Sequence, residues 1–226
     1  PEWYVRRPET AKSEVQDWCE ESLLPHLEAL PNLPHAFGQD FGRKQDVTVI
    51  APVTIRKQTR TVPFLVELGL APFAIQKEIL FFILDRLPRF QGGHMDATGN
   101  GAYLGEAAAQ KYGHHRIKEV MITQGWYLQT MPSFKADLED GMMTIPDDKL
   151  IQEDMRHIQE IDGIPKVVGT KSKTGRHGDA AVALAMAWAA SQEAFPTYAY
   201  EAANNRQNRE SFWEKRGDTQ PRELFF

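Results

Sequence analysis

The sequence predicts an α/β domain: a mixed sheet, begun by three antiparallel strands and continued by βα units, with helices on both faces. Three observations carry this expectation. Between residues 35 and 68, three extended runs rich in β-branched residues are joined by short polar connections, the pattern of an antiparallel meander. From Pro72 onward the apolar spacing lengthens to that of a helix, and strand-like and helical segments alternate. The chain then reaches an alanine-rich helix. A meander followed by βα units makes a mixed sheet rather than a purely parallel one.

Taken in order, Ser13 reads as an N-cap, and Val15, Trp18, Leu23, Leu27 and Leu30 supply an apolar helical stripe that Pro31 and Pro34 close. Residues 1–34 are therefore expected to form a leading linker helix segment. The first strand covers 35–41 and turns at Gly42-Arg43-Lys44-Gln45. The second covers 46–53 and the third 59–68. Ile75, Ile79, Phe82 and Ile83 predict a buried amphipathic helix over 73–87. An extended piece over 90–97 leads to a Gly-Asn-Gly turn at 99–101, a small-residue helix over 102–112 and a strand over 117–122. Helices are expected over 124–140 and 147–161, the second following Pro146 with acids in its first turn. A short strand at 164–168 precedes the polar loop 169–178, and 179–191 is the clearest helix. The sheet domain is thus expected over 35–195, with a polar tail over 196–226 that is flexible or serves docking.

With 226 residues, 42% hydrophobic and 25% charged, the chain suits one domain with flanking segments. Its longest apolar run, 79–84, is too short to span a bilayer, and residues 1–10 lack the apolar centre of a signal peptide. No membrane partner is expected. The single cysteine, Cys19, excludes an intramolecular disulfide and a Cys-rich zinc site, and makes a reducing cytoplasm the natural compartment. A net charge of −5 argues against a general nucleic-acid binder. It leaves room for a nuclease that concentrates carboxylates in one site and grips DNA through a local basic patch. The chain starts without methionine, which points to a piece of something longer or to processing.

Three aspartates stand where such a sheet would gather them. Asp40 lies in the first strand among apolar residues and glycine, where an unpaired carboxylate is costly and calls for a cation. Asp96 ends the fourth strand at the mouth where open α/β sheets bind ligands. Asp179 opens the last helix. Each has an ordinary explanation: an edge-strand or bulge residue, a turn-forming aspartate, and a helix N-cap or first-turn acid, respectively. Together they suggest more, because converging carboxylates repel one another unless hard divalent cations sit between them.

The segments that hold these acids carry a specific resemblance. GQDFGRKQDVTVI resembles the first-strand motif of bacteriophage large-terminase nuclease domains, Gly-x-Asp-x-Gly followed by an Asp-x-Thr strand. HMDATGNGAYLGE is similar to their second motif, an aspartate before a Thr-Gly-x-Gly turn, and RHGDAAVALAMAWAA to their third. The Mu-like terminases are the most similar variant, and the resemblance runs from about residue 35 to 191. It implies a ribonuclease-H-like fold and a metal-dependent endonuclease that cuts double-stranded DNA during genome packaging. It maps the catalytic, metal-binding acids onto Asp40, Asp96 and Asp179. Asp40 would be shared by two Mg²⁺ or Mn²⁺ ions, and the other two would complete one side each. It also implies a terminase ATPase domain, a small terminase subunit and a portal as partners, in the cytoplasm of an infected bacterium. No G-x-x-x-x-G-K-[ST] occurs, so ATP hydrolysis by this chain alone is not expected.

Lys171, Lys173, Arg176 and His177, in the loop before Asp179, are the main expected DNA contacts, through phosphates, with Arg43 as a weaker one. None suggests base readout, so little sequence preference is expected. Glu78, Asp46 and His94 are secondary candidates, explained as well by a solvated helix face, a strand start and a structural histidine. The Met and Trp residues at 184–188 read as core. Two other functions stay open at this stage: a resolvase or transposase sharing the fold, and a non-catalytic module docking a motor to portal or capsid. The docking module would bind no Mg²⁺ or Mn²⁺ at the three aspartates.

Overall fold

The structure, a computed structural model, describes residues 8–42, 47–168 and 178–193. Its axis is β1 (His35–Asp40), buried along all six residues. β1 pairs antiparallel with β2 (Val47–Arg56) on one side and parallel with β5 (Phe90–Asp96) on the other. A strand flanked on both edges and covered on both faces has no place for the polar alternation of a surface strand. β5 in turn pairs in parallel with β6 (Ile117–Val120). Across the sheet, β3 (Thr59–Thr61) and β4 (Val66–Gly69) both pair antiparallel with β2, at opposite ends of it, and β7 (Met143–Thr144) runs parallel to β3. The order is β6-β5-β1-β2-β3-β7, with β4 also on β2. This is the mixed sheet the sequence predicts.

Successive residues of β1 serve opposite cores. Phe37 joins Ile50, Ile79 and Met95 under α1 (Pro8–Trp18), α3 (Phe73–Leu84) and α4 (Ala102–Tyr112). Ala36 joins Val49, Ala51 and Val53 under α5 (Gln124–Glu139), α6 (Lys149–Arg156) and α7 (Asp179–Gln192). Helices therefore cover both faces. Among the described residues no helix is long and apolar enough to cross a membrane.

Three expectations change in detail. The leading helix is already running at Pro8, so Ser13 lies inside it rather than capping it. It continues through a π-helical turn, Cys19–Leu23, into α2 (Leu24–Glu28), where Pro25 falls in the first turn and is tolerated. The third predicted strand splits into β3 and β4 around Pro63, which has no amide hydrogen to give the ladder. The predicted helix over 147–161 stops at Arg156, and its remainder becomes β8 (Ile158–Ile161), paired antiparallel with β9 (Ile164–Val167). Asp162-Gly163 connects them with φ of +52° and +76°, the Asp-Gly geometry of a two-residue hairpin turn, and this local signal overrides the helical pattern.

Candidate active site

Strand alternation and register assemble the site. Gln39 pairs with Met95 across the parallel β1–β5 ladder, so Asp40 and Asp96 follow one step further at the C-terminal ends of both strands. Asp40 shares its face with Gly38. A β-carbon added there would lie 2.2 Å from the Ala183 carbonyl oxygen, so this face is the one under α7. Asp96 shares its face with His94, whose Nε2 meets Glu193 just beyond α7 at 2.9 Å. Asp179 is the first residue of α7, and its Oδ2 accepts the amide N–H of Val47 at 3.1 Å. Val47 stands two residues before Val49, the partner of Asp40 across the β1–β2 ladder. Register and packing thus place the three acids at one end of the sheet, on the face under α7, and each is only 8% exposed.

Their surroundings hold them there. Asp96 Oδ1 accepts the Thr98 amide N–H at 2.8 Å. Burial pushes its carboxyl above the ordinary range, and the hydrogen bonds from Thr98 partly offset that. The chain leaving Asp40 is fixed by a buried network. Gly42 N–H donates to the Thr48 hydroxyl at 2.9 Å, and the Gln76 amide donates to the carbonyls of Gly42 and Ala71 at 3.1 and 2.8 Å. The Thr48 hydroxyl lies 2.8 Å from Gly42 O and 2.9 Å from Gln76 Oε1, and its one proton serves one of them.

Two residues that sequence reasoning did not single out belong to this end of the molecule. Tyr127 of α5 has its phenol pushed up by burial, then by the charges of Asp40 and Asp96, so it stands within the field of both carboxylates. Asp154 of α6 is fully buried, and its Oδ2 accepts the Ala180 amide N–H at 3.1 Å. It thereby caps α7 from a neighbouring helix. The N-cap residue itself, Gly178, has φ +87° and no side chain to offer. A signal for Asp154 was present: it falls three residues after Ile151 on the otherwise apolar face of its helix.

The secondary candidates sort out differently. His94 is buried and bound to Glu193, which also holds Lys118 Nζ at 2.6 Å, so it clamps the far end of α7 to the sheet rather than serving the acids. Glu78 lies on α3, on the opposite face of the sheet from the aspartates, lining a cavity with Val15, Cys19 and Phe81. Leu184 and Met186 are core, as expected, and Trp188 packs partly buried against that core. Arg43, Asp46, Lys171, Lys173, Arg176, His177 and the tail 196–226 lie outside the described residues.

Among the described residues no group of three His, Cys, Asp or Glu side chains stands arranged to hold a metal ion. The donor chemistry nevertheless fits hard divalent cations: three buried carboxylates on one face, with Asp96 in an environment that penalises its bare charge. Mutual repulsion holds such carboxylates apart until a cation offsets it.

No family model matches the chain. It is 44% identical over 182 residues to the Mu-like prophage FluMu protein gp28 of Haemophilus influenzae, covering 78% of this chain and 36% of that protein. It is also 44% identical over 191 residues to the probable terminase, large subunit gp28, of Escherichia phage Mu, covering 81% of this chain and 35% of that one. The chain therefore spans about a third of the length of these relatives. Among solved structures, the large terminase nuclease from thermophilic phage G20c with bound magnesium superposes with a TM-score of 0.56 at 18% identity, over 71% of this chain and 82% of its own. The large terminase nuclease domain of Thermus phage P74-26 does so with a TM-score of 0.52 at 20% identity, over 70% and 80%. These structural likenesses establish the fold.

Proposed function

Because the chain is a homologue of part of the Mu-like terminase large subunits and has the fold of large-terminase nuclease domains, we propose that it is the DNA-cutting domain of such a subunit. The reaction is hydrolysis of phosphodiester bonds in double-stranded DNA during phage genome packaging, in the cytoplasm of the infected host. The observation that supports this reading is the placement of three buried aspartates at one end of the sheet: Asp40 and Asp96 at the C-terminal ends of β1 and β5, and Asp179 at the N-terminus of α7.

In this reading Asp40, Asp96 and Asp179 would hold two divalent cations, Mg²⁺ or Mn²⁺. Bound divalent cations supply Lewis acidity that activates water and stabilises the leaving 3′ oxygen. The protein's part is positioning. β1 and β5 fix Asp40 and Asp96 on adjacent strands, the Thr98 amide orients Asp96, and Asp154 together with Gly178 sets the start of α7 and so Asp179. Tyr127, its phenol pushed up by burial and by the charges of Asp40 and Asp96, stays protonated at neutral pH. Arg43, Lys171, Lys173, Arg176 and His177 contact phosphates, which gives grip without sequence preference. ATP hydrolysis, a small terminase subunit and a portal belong to the remainder of the packaging machine.

Plasmid cleavage by the 226-residue chain with Mg²⁺, Mn²⁺ or EDTA, beside Asp40→Asn, tests the reading. Metal-dependent nicking and linearisation lost in the variant supports it. A folded wild-type chain inert with both metals and showing no binding of either one points instead to a docking module.

A further inference from the structure

Beside the acids, on the α3 side of the same sheet end, stands an aromatic stair that the hydrolytic site does not use. Phe41, the residue after Asp40, stacks on Phe73 at the start of α3 with ring centroids 4.9 Å apart and planes 7° from parallel. Phe73 meets Tyr103, in the first turn of α4, edge-on at 5.7 Å and 71°. Lys77 Nζ lies 6.0 Å from the centre of the Tyr103 ring. The stair is tied to the site by the turn that follows Asp96. At Gly101 a β-carbon would lie 2.2 Å from the Asp96 carbonyl oxygen and 3.3 Å from Phe41 Cβ, so that turn is pressed against both.

Phe41 and Phe73 are half-buried, yet Tyr103 at its outer end is 53% exposed. Here Phe73, stacked on Phe41, meets Tyr103 edge-on, the Lys77 ammonium stands over the Tyr103 ring, and about half of that residue stays accessible, 53%. An accessible aromatic ring with a cation over one side is the chemistry that takes a nucleobase by stacking and the adjoining phosphate by charge. In sequence, Phe41-Gly42 is followed by two further cations, Arg43 and Lys44.

We propose that Tyr103, braced by Phe73 and Phe41 and accompanied by Lys77, is a stacking platform for an unpaired base of the DNA strand next to the cut. The preferred substrate is thus duplex DNA with a locally unstacked or gapped strand. The inference rests on the nuclease reading for its orientation toward the acids.

The test compares binding of the 226-residue chain to two labelled duplexes of one sequence, one fully paired and one with a three-nucleotide gap, in EDTA so that nothing is cut. Wild type prefers the gapped duplex. Tyr103→Ala weakens binding to it by about tenfold and to the paired duplex far less, while Tyr103→Phe keeps the preference, since stacking needs the ring and not the hydroxyl. Lys77→Ala weakens both duplexes alike and lowers the salt dependence. The platform is refuted by a Tyr103→Ala protein that melts like wild type and binds both duplexes unchanged, or by Tyr103→Phe losing as much as Tyr103→Ala. Plasmid cutting by wild type with Mg²⁺ or Mn²⁺, run in parallel, tests the nuclease reading separately. A Tyr103-dependent preference for the gapped duplex in a chain that neither cuts nor binds either metal would sink that reading and leave a stacking platform for unpaired DNA.

Discussion

Gly38 of β1 lies so close beneath α7 that a β-carbon on it would sit 2.2 Å from the carbonyl oxygen of Ala183 and 2.2 Å from the amide nitrogen of Ala187. Both are backbone atoms, so no rotamer change can make room. This contact lets the helix that begins with Asp179 press directly on the strand that ends with Asp40. Gly38→Ala is expected to cost about 3 kcal/mol by forcing the two elements apart, measured by chemical denaturation. A variant as stable as wild type would show that the close approach is dispensable.

Asp154 offers a milder perturbation of the same helix. Removing its carboxylate leaves the Ala180 N–H buried without that acceptor, which should cost about 2 kcal/mol. Asp154→Asn keeps an oxygen acceptor and should recover most of it. The cutting rate per folded molecule should follow the same order, because a frayed first turn of α7 misplaces Asp179. Equal rates for Asp154→Ala and wild type would mean that Asp179 is held without this cap.

Much of the fold was legible because its signals are local. The extended runs rich in β-branched residues from 35 to 53 gave the central strands, and the helical spacing after Pro72 gave α3. Thr98-Gly99-Asn100-Gly101 gave the turn into α4. The elements misread are those where two local signals compete, as at Asp162-Gly163, where turn chemistry outweighs the helical pattern, and at Pro63, where one missing donor divides a strand. The three aspartates could be named from their positions at strand ends and a helix start. Asp154 carried only a partial signal, its place three residues after Ile151 on its helix, while Tyr127 and the Phe41-Phe73-Tyr103 stair carried none, because each depends on residues brought together from separate elements. Asp154 meets Ala180, twenty-six positions away, only once α6 packs on α7.

His35 predicts a pH dependence at the opposite end of β1. Its Nδ1 faces the carbonyls of Leu33 and Pro88 at 2.7 and 2.9 Å and so carries the proton, while Nε2 accepts from the Thr54 hydroxyl at 2.9 Å. Burial holds its pKa below the ordinary 6.5, outweighing the two carbonyl contacts. Above 6.5 neither folded nor unfolded protein is protonated there. As pH falls below it the unfolded chain takes up a proton that the folded one resists, so stability drops until the folded pKa is passed. His94, also lowered by burial, adds to the same slope. Denaturation at pH 7.5 and 5.0 should show a smaller difference for His35→Gln than for wild type. An unchanged difference would assign the slope to other groups.

Asp96 allows the proposed metal site to be tested by stability alone, without any cutting. Burial raises its carboxyl pKa, so the folded state favours the protonated acid. The linkage then has a definite sign: the favourable contribution is complete below the ordinary value of 3.8 and disappears as pH rises through the raised folded pKa. At neutral pH without metal, the charged Asp96 therefore opposes folding. Asp96→Asn removes that charge and keeps an oxygen to accept the Thr98 amide, so the variant should be the more stable protein in EDTA. Its advantage should shrink as pH falls through the raised folded pKa of Asp96, where wild type protonates. Adding Mg²⁺ or Mn²⁺ at neutral pH should reverse the order, because ions that bind only the folded wild type stabilise it by about 2.7 kcal/mol at a hundredfold excess over Kd. The expected result is a crossing, with the variant melting higher in EDTA and wild type melting higher with metal. If metal raises both melting points equally, Asp96 is not a ligand, and the two-ion reading fails at this residue whatever the cleavage assay shows.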